Sequence, residues 1–74
     1  MQVTVKLFAN FRNNRFKNEV RTIGPDTTVG VFVAALGIVE DDLGVILING
    51  RHAGLDKVLA GGDTLSLFPL VGGG

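Results

Sequence analysis

The stretch T-V-G-V-F-V-A-A-L-G, from Thr28 to Gly37, indicates that the fold contains one helix among its strands. Its apolar side chains recur at the spacing i, i+3, i+4 and i+7, at Val29, Phe32, Val33 and Leu36. This spacing predicts a short helix with one apolar stripe. Either Thr27 or Thr28 can cap its first turn, and Gly37 can adopt the left-handed backbone that ends a helix. Gly30 and the β-branched residues lower helix propensity, so we expect packing on a sheet to stabilise this segment.

The residues before the helix predict a β-hairpin. Apolar and polar residues alternate from Gln2 to Phe8, which is the pattern of a strand buried on one face. A polar turn at residues 10–14 leads to a second strand at about Lys17–Ile23, where the alternation is poorer. The breaker G-P-D at residues 24–26 separates this strand from the helix.

Two further strands follow the helix. Val45–Ile48 is apolar on both faces, which suits a central strand covered by the helix on one side and by a partner on the other. Asn49 and Gly50 predict a tight turn into a short edge segment. Thr64–Phe68 alternates again, and we expect Pro69 to stop the pairing because proline has no N–H to donate.

The order of elements is therefore strand, strand, helix, strand, short edge segment and strand. One helix that connects two hairpins and packs across one face of a mixed four- to five-stranded sheet is the β-grasp plan, an α+β architecture. We predict a β-grasp domain over residues 1–70 and a flexible glycine tail at residues 71–74.

Composition narrows the classes of function. The 74 residues include no cysteine, which removes disulfides, thiolate metal sites and an internal thiol nucleophile. Seven basic and seven acidic residues cancel, so no net field attracts nucleic acid or anionic lipid. No apolar run approaches the roughly 20 residues that span a bilayer. We expect a cytoplasmic protein that is not an enzyme and has neither a metal site nor a bound cofactor.

Four further features of the sequence have ordinary structural explanations. The early basic residues are either a solvated strand face and loop or a docking surface for an acidic partner: Arg12, Arg15, Lys17 and Arg21. The single histidine, His52, has no second metal ligand at a suitable spacing. The acidic run at residues 40–42 is expected to be a solvated loop, and the glycine pair at residues 61–62 a turn.

The segment F-P-L-V-G-G-G, residues 68–74, is the strongest functional candidate. Three glycines provide backbone without side chains, which can enter a channel too narrow for a Cβ atom. The segment directly follows the last predicted strand, so the carboxylate of Gly74 projects a fixed short distance from a rigid body. Because a carboxylate is a poor electrophile, its use in a transfer reaction requires activation by an ATP-consuming partner. The alternative is an idle, frayed terminus.

Four apolar residues near this segment predict a partner-binding surface. Alternation places Phe8 and Phe68 on the sheet face away from the helix, and Leu70 and Val71 extend that surface toward the tail. The alternative is that these side chains only cover the edge of the sheet.

Three motifs occur in order along the second half of the chain: I-N-G at residues 48–50, G-D-T-L at residues 62–65, and F-P-L-V-G-G-G at residues 68–74. At this spacing they resemble the V-N-G turn, the G-D-x-V strand start and the F-P-P-V-x-G-G tail of the MoaD/ThiS family of ubiquitin-like sulfur carriers. The resemblance covers nearly the whole chain. Leu70 stands where the small subunit of molybdopterin synthase usually has a second proline, which leaves the pathway open.

The resemblance implies a function for the terminal pair, Gly73 and Gly74. An E1-like adenylating enzyme would activate the Gly74 carboxylate with ATP, and a sulfur donor protein would then displace AMP and leave a thiocarboxylate. The sulfur would pass to the large subunit of a synthase for the molybdenum or tungsten pterin cofactor, or to thiazole synthase in thiamine biosynthesis. The alternatives are a covalent modifier joined to lysines of targets and a β-grasp interaction domain with an idle tail.

Overall fold

A computed structural model describes residues 1–70, which form five strands, one α-helix and two short 3₁₀ helices. The strands are β1 at Gln2–Leu7, β2 at Asn18–Thr22, β3 at Leu43–Ile48, β4 at Arg51–His52 and β5 at Thr64–Pro69. Helix α1 spans Val29–Ala35, and the 3₁₀ helices span Ala9–Arg12 and Glu40–Asp42. No helix among these residues is long and apolar enough to cross a membrane.

The strands form a single mixed sheet in the order β2-β1-β5-β3-β4. Strands β1 and β5 are parallel, whereas the pairs β1–β2, β3–β5 and β3–β4 are antiparallel. The α+β architecture, the first hairpin and the short edge segment are therefore as predicted. The centre of the sheet is β5, while β3 lies one place nearer the edge than its sequence suggested.

The core lies between α1 and one face of the sheet. The inward residues of β1 and β5 are buried at alternate positions: Val3, Val5, Leu7, Leu65 and Leu67. They meet the helix stripe of Val29, Phe32 and Val33, with Leu36 partly buried at its end. Burying one such side chain fully contributes about 1.5–3 kcal/mol. This packing stabilises a helix of seven residues that would be marginal in isolation.

Both ends of α1 are capped as the sequence predicts. The Thr28 side chain accepts a hydrogen bond from the N–H of Val31 at 3.2 Å, which selects Thr28 from the two threonines as the cap. At the other end Gly37 has a φ of +76°, and the N–H of Ile38 donates to the carbonyl of Val33 at 3.2 Å. This is the Schellman arrangement, which a residue with a Cβ atom adopts only with strain.

The turn between β3 and β4 has the geometry that an Asn-Gly pair favours. Asn49 and Gly50 have φ values of +53° and +83°, which indicate a type I′ turn whose twist matches that of the flanking strands. His52 is exposed and belongs to β4, where it lies opposite Leu47.

Two local predictions differ from the structure. The prediction that Pro69 stops the pairing is wrong, because Pro69 pairs with Leu43 and the next residue, Leu70, donates its N–H to the carbonyl of Asp42 at 2.8 Å. Proline removes only its own donor, so the residue after it can still bond to the neighbouring strand. The predicted turn at residues 10–14 begins as a 3₁₀ helix that buries Phe11, a core residue that polar neighbours conceal in the sequence.

Candidate functional site

Two phenylalanine rings stack at the end of the sheet where β5 finishes. The parallel register pairs Leu7 with Leu67, and the N–H of Phe8 donates to the Leu67 carbonyl at 3.2 Å. Since side chains alternate along extended chain, the residues after these buried leucines lie on the face away from α1. There the ring centroids of Phe8 and Phe68 are 4.1 Å apart and the ring planes differ by 8°. The placement agrees with the sequence prediction, while their role in partner binding stays a prediction.

Arg12, in the adjoining 3₁₀ helix, packs against this aromatic pair. Its Nε donates to the carbonyl of Leu7 at 2.7 Å, and its guanidinium carbon lies 5.4 Å from the centroid of the Phe8 ring. Such a cation–π contact contributes about 0.5–1 kcal/mol at an exposed site. The surface beside β5 therefore combines stacked rings with one fixed positive charge.

Two aliphatic residues of β3 extend the same apolar surface. Val45 lies opposite Phe68, and Leu47 lies opposite Ser66; both aliphatic side chains are half-buried on the face away from the helix. Neither residue is among the predicted site residues, although the apolar character of β3 on both faces predicts a partner on this side. Toward the other end of this face, polar side chains such as Thr4 replace the apolar ones. The apolar surface is thus concentrated near the end of β5.

The end of β5 is fixed to β3 by backbone contacts. Pro69 pairs with Leu43, and the Leu70 N–H bonds to the carbonyl of Asp42. A β-bulge at Gly44 brings the two chains so close that a Cβ atom there would lie 2.7 Å from the Pro69 carbonyl oxygen. The Leu70 side chain is 59% exposed. The remaining predicted site residues lie outside the described residues: Val71, Gly73 and Gly74.

A comparison with protein families adds a direct assignment. The sequence model of the ThiS family matches residues 5–74, which is nearly the whole chain and includes the glycines at its end. The chain belongs to the ThiS family. No match to a curated protein was found.

Solved structures that resemble this ThiS-family chain confirm the ubiquitin-like β-grasp fold. SAMP1 from Haloferax volcanii is 30% identical, with 100% of each chain covered and a TM-score of 0.77. A candidate molybdopterin converting factor subunit 1 from Pyrococcus furiosus is 25% identical, with coverage of 96% and 99% and a TM-score of 0.79. A complex of subunits 1 and 2 of molybdopterin-converting factor from Helicobacter pylori matches at 25% identity, 100% coverage of each chain and a TM-score of 0.66.

These likenesses establish the general class of the chain. It is a small ubiquitin-fold protein of the ThiS/MoaD kind, a sulfur carrier or a modifier. Small carrier proteins of this family are generally not catalytic themselves.

Two polar residues in the motifs that resemble the ThiS family bond to each other. The Asn49 side chain donates to Asp63 Oδ1 at 2.9 Å and accepts from the Thr64 N–H at 2.9 Å. Asp63 Oδ2 accepts the N–H of Ala60 at 2.8 Å. These contacts join the β3–β4 turn to the start of β5, so the two motifs have a structural role.

Arg15 has a structural role that the sequence did not reveal. Its guanidinium donates to the carbonyls of Leu36 at 3.0 Å, Gly37 at 3.1 Å and Phe11 at 3.2 Å. It thereby satisfies carbonyls at the C-terminal end of α1, where a positive charge is favourable. Arg12 likewise makes internal contacts, so at least two of the early basic residues are more than a solvated face.

The other polar features do not form a recognisable reaction centre. An open groove of about 960 Å³ beside β4 is lined by His52, Asp56, Lys57 and their neighbours, and a groove of about 260 Å³ borders Leu70. Within residues 1–70 no three His, Asp or Glu side chains are grouped as a metal site would require. The apolar surface beside the tail is the candidate that the geometry favours.

Proposed function

We propose that this chain is a sulfur carrier whose Gly74 carboxylate is adenylated and then converted to a thiocarboxylate. The observation that carries the proposal is the anchoring of Leu70 to Asp42 beside the Phe8–Phe68 stack. Every residue after Leu70 departs from this fixed point, and the family match continues through Gly74.

The length of the tail restricts where its partners bind. Four extended residues, 71–74, span at most about 14 Å. An active site that acts on Gly74 must therefore come within about 14 Å of Leu70, and its enzyme must contact the domain next to that point. The apolar surface of Phe8, Phe68, Val45 and Leu47 lies there, and an exposed apolar patch of this kind is suited to protein contact. We assign partner docking to this surface and to Leu70 and Val71.

The chemistry assigned to the tail divides between the chain and its partners. A carboxylate oxygen of Gly74 attacks the α-phosphorus of ATP on an E1-like enzyme, and pyrophosphate leaves. A nucleophile of the sulfide class, supplied by a sulfur donor protein, attacks the acyl carbon and releases AMP, which leaves the thiocarboxylate. The chain contributes a tail without side chains at Gly73 and Gly74, and ordering this tail costs conformational entropy that docking must offset. ATP is a substrate of the activating partner and not a bound cofactor of this chain.

The proposed destination of the sulfur is the pterin of a molybdenum or tungsten cofactor. The Helicobacter pylori neighbour is subunit 1 of a molybdopterin-converting factor in complex with subunit 2, which supports a second synthase subunit as the partner on which the transfer to the pterin takes place. Thiazole synthase in thiamine biosynthesis remains the second acceptor, because the matching family is the ThiS family.

A covalent modifier is the second candidate function. SAMP1, a small archaeal modifier protein in Haloferax volcanii, matches the chain over its full length at 30% identity. The two functions share the adenylated intermediate and differ in the group that attacks it. A sulfur nucleophile produces a carrier, whereas a lysine amine produces an isopeptide-linked tag.

Exchange of radiolabelled pyrophosphate into ATP tests the shared first step. With a cognate E1-like enzyme, we expect exchange to depend on the chain ending at Gly74. Deletion of Gly73 and Gly74 should reduce exchange at least tenfold, while Gly24→Ala, a change remote from the tail, should leave it unchanged. Undiminished exchange with the truncated chain would contradict the proposal. So would the absence of exchange from an enzyme that is active on another carrier, and both results would favour an interaction domain.

A further inference from the structure

The outer edge of β2 carries backbone groups that have no partner within residues 1–70. Lys17 accepts the Leu7 N–H at 3.0 Å, and Ile23 exchanges two hydrogen bonds with Met1, at 2.7 and 3.0 Å. In an antiparallel pair, residues that bond to the neighbour alternate with residues whose N–H and C=O point the other way. The odd-numbered residues of β2 therefore face β1, and the outward groups belong to Asn18, Val20 and Thr22.

An exposed strand edge of this kind is a template for another strand. At the opposite edge, β4 has only two residues, whereas β2 has five. Val20, in the middle of β2, is also 57% exposed. The edge therefore offers a row of donors and acceptors together with one apolar side chain at its centre.

The sequence of β2 is complementary to itself when two copies run antiparallel. In a register centred on Val20, each Asn18 lies opposite Thr22 of the second copy, and the two Val20 residues lie opposite each other. Their outward groups then form hydrogen-bonded pairs. In the same register Glu19 lies opposite Arg21 of the second copy, and Arg21 opposite Glu19, so opposite charges meet on both sides of the symmetry axis.

We propose that two copies of this chain associate through antiparallel pairing of their β2 strands, centred on Val20. Charged residues on an edge strand usually prevent such pairing. Here the charges have both signs and are ordered so that the second copy matches them. Glu19 and Arg21 already lie 3.6 Å apart within one chain, with 45% and 41% of their side chains exposed, and the Arg21 guanidinium carbon lies 4.9 Å from the centroid of the Phe16 ring.

The association extends the sheet in its own plane and leaves the proposed docking surface uncovered. Strand β5 is separated from β2 by β1, and the Phe8–Phe68 stack lies on a face of the sheet and not on its edge. The twofold axis places the two β5 ends at opposite ends of the joined sheet. One dimer therefore presents two separate copies of the docking surface. Because the contact involves one short strand from each copy, the interface is small and the association is reversible.

Sedimentation equilibrium of charge-reversed variants tests the register. We expect the unaltered chain to associate as its concentration approaches about 1 mM, the range expected of a small interface. Glu19→Arg places like charges opposite each other twice, and so does Arg21→Glu. Each single variant should raise the dissociation constant about fivefold or more, and the double variant should restore it to within about twofold. Circular dichroism checks that each variant is folded.

Cross-linking through an introduced thiol provides the second test. The chain has no cysteine, so Val20→Cys adds a single thiol. In the proposed register the Cα atoms of the two introduced cysteines are about 5.5 Å apart, within the range that a disulfide spans. Thr22→Cys is the control. In the same register the two introduced cysteines are offset by about four residues along the strands, too far apart for a disulfide. Under the same oxidation, dimer should form at least tenfold faster with Val20→Cys.

A chain that stays monomeric at about 1 mM would overturn the proposal. It would also be overturned by a dimer whose dissociation constant the single charge reversals leave unchanged, or by equal cross-linking of the two cysteine variants.

Discussion

Phe8 stacks on Phe68, and this contact joins the residue after the first strand to the strand from which the tail departs. The centroid distance is 4.1 Å, with Arg12 positioned over the Phe8 ring. The hydrogen bond from the Phe8 N–H to the Leu67 carbonyl places the two residues next to each other, so that their rings can stack. The rigid surface beside the tail is therefore built from residues 60 positions apart in the chain.

Replacement of Phe68 tests whether this surface binds the activating enzyme. Phe68→Ala removes the ring nearest the tail, and we expect affinity for the E1-like partner to fall by about 1–3 kcal/mol, which is about 5-fold to 150-fold. Isothermal titration calorimetry measures the change. Val20→Ala removes an exposed apolar side chain at the sheet edge and should leave the affinity unchanged. Equal affinity of Phe68→Ala and the unaltered chain would show that the activating enzyme does not bind this surface.

The Asn49 contacts predict a stability effect with two separable parts. Asn49→Gly keeps the positive φ but loses the bonds to Asp63 and Thr64, and it should lower the free energy of unfolding by about 1–2 kcal/mol. Asn49→Ala also places a Cβ-bearing residue without a polar side chain in the left-handed region, which costs about 1 kcal/mol more. Urea denaturation measures both. A change below about 0.5 kcal/mol for both variants would show that the bonds contribute no net stability.

The close approach of β3 to the base of the tail predicts a contrast between two glycines. Gly44→Ala places a Cβ atom 2.7 Å from the Pro69 carbonyl oxygen, so the two backbones must separate. We expect a loss of about 1–3 kcal/mol in the free energy of unfolding. Gly24→Ala meets nothing within 4 Å and should be neutral or slightly stabilising. If urea denaturation gives the same midpoint for both variants, the base of the tail is not held as described.

The contacts of Arg15 predict that it stabilises the end of α1. Arg15→Ala removes three hydrogen bonds to carbonyls, and because the side chain is exposed we expect a cost of only about 1 kcal/mol. Lys17→Ala, which removes a nearby exposed charge, should change the free energy of unfolding by less than about 0.5 kcal/mol. Thermal or urea denaturation of the two variants gives the comparison. Equal effects would show that the loss of a positive charge, and not the loss of hydrogen bonds at the end of α1, changes the stability.

The parts of the fold that follow local rules could be predicted from the sequence. The Thr28 and Gly37 caps and the Asn49-Gly50 turn each depend on the chemistry of one or two residues, and all lie where the sequence placed them. Alternation likewise located Phe8 and Phe68 on one face. The order of the strands was less accessible, because the parallel pairing of β1 with β5 joins residues about 60 positions apart.

The features that sequence reasoning missed depend on contacts between distant segments. Arg15 bonds to carbonyls near residue 37, and Phe11 enters the core from a polar loop. The pairing beyond Pro69 depends on the bulge at Gly44, which only the neighbouring strand reveals. None of these contacts leaves a periodic signal in the local sequence. The sequence therefore did not reveal the internal contacts of the basic residues or the pairing that continues past Pro69.

The intact mass of the chain after incubation with ATP, a cognate E1-like enzyme and a sulfur donor is the sharpest test of the sulfur-carrier function. We expect the mass to increase by the difference between one sulfur atom and one oxygen atom, and the increase to disappear when Gly74 is removed. An unchanged mass with an enzyme that forms the adenylate would contradict the sulfur-carrier function. A series of larger lysine-linked conjugates, in place of the sulfur-containing product, would establish the modifier instead.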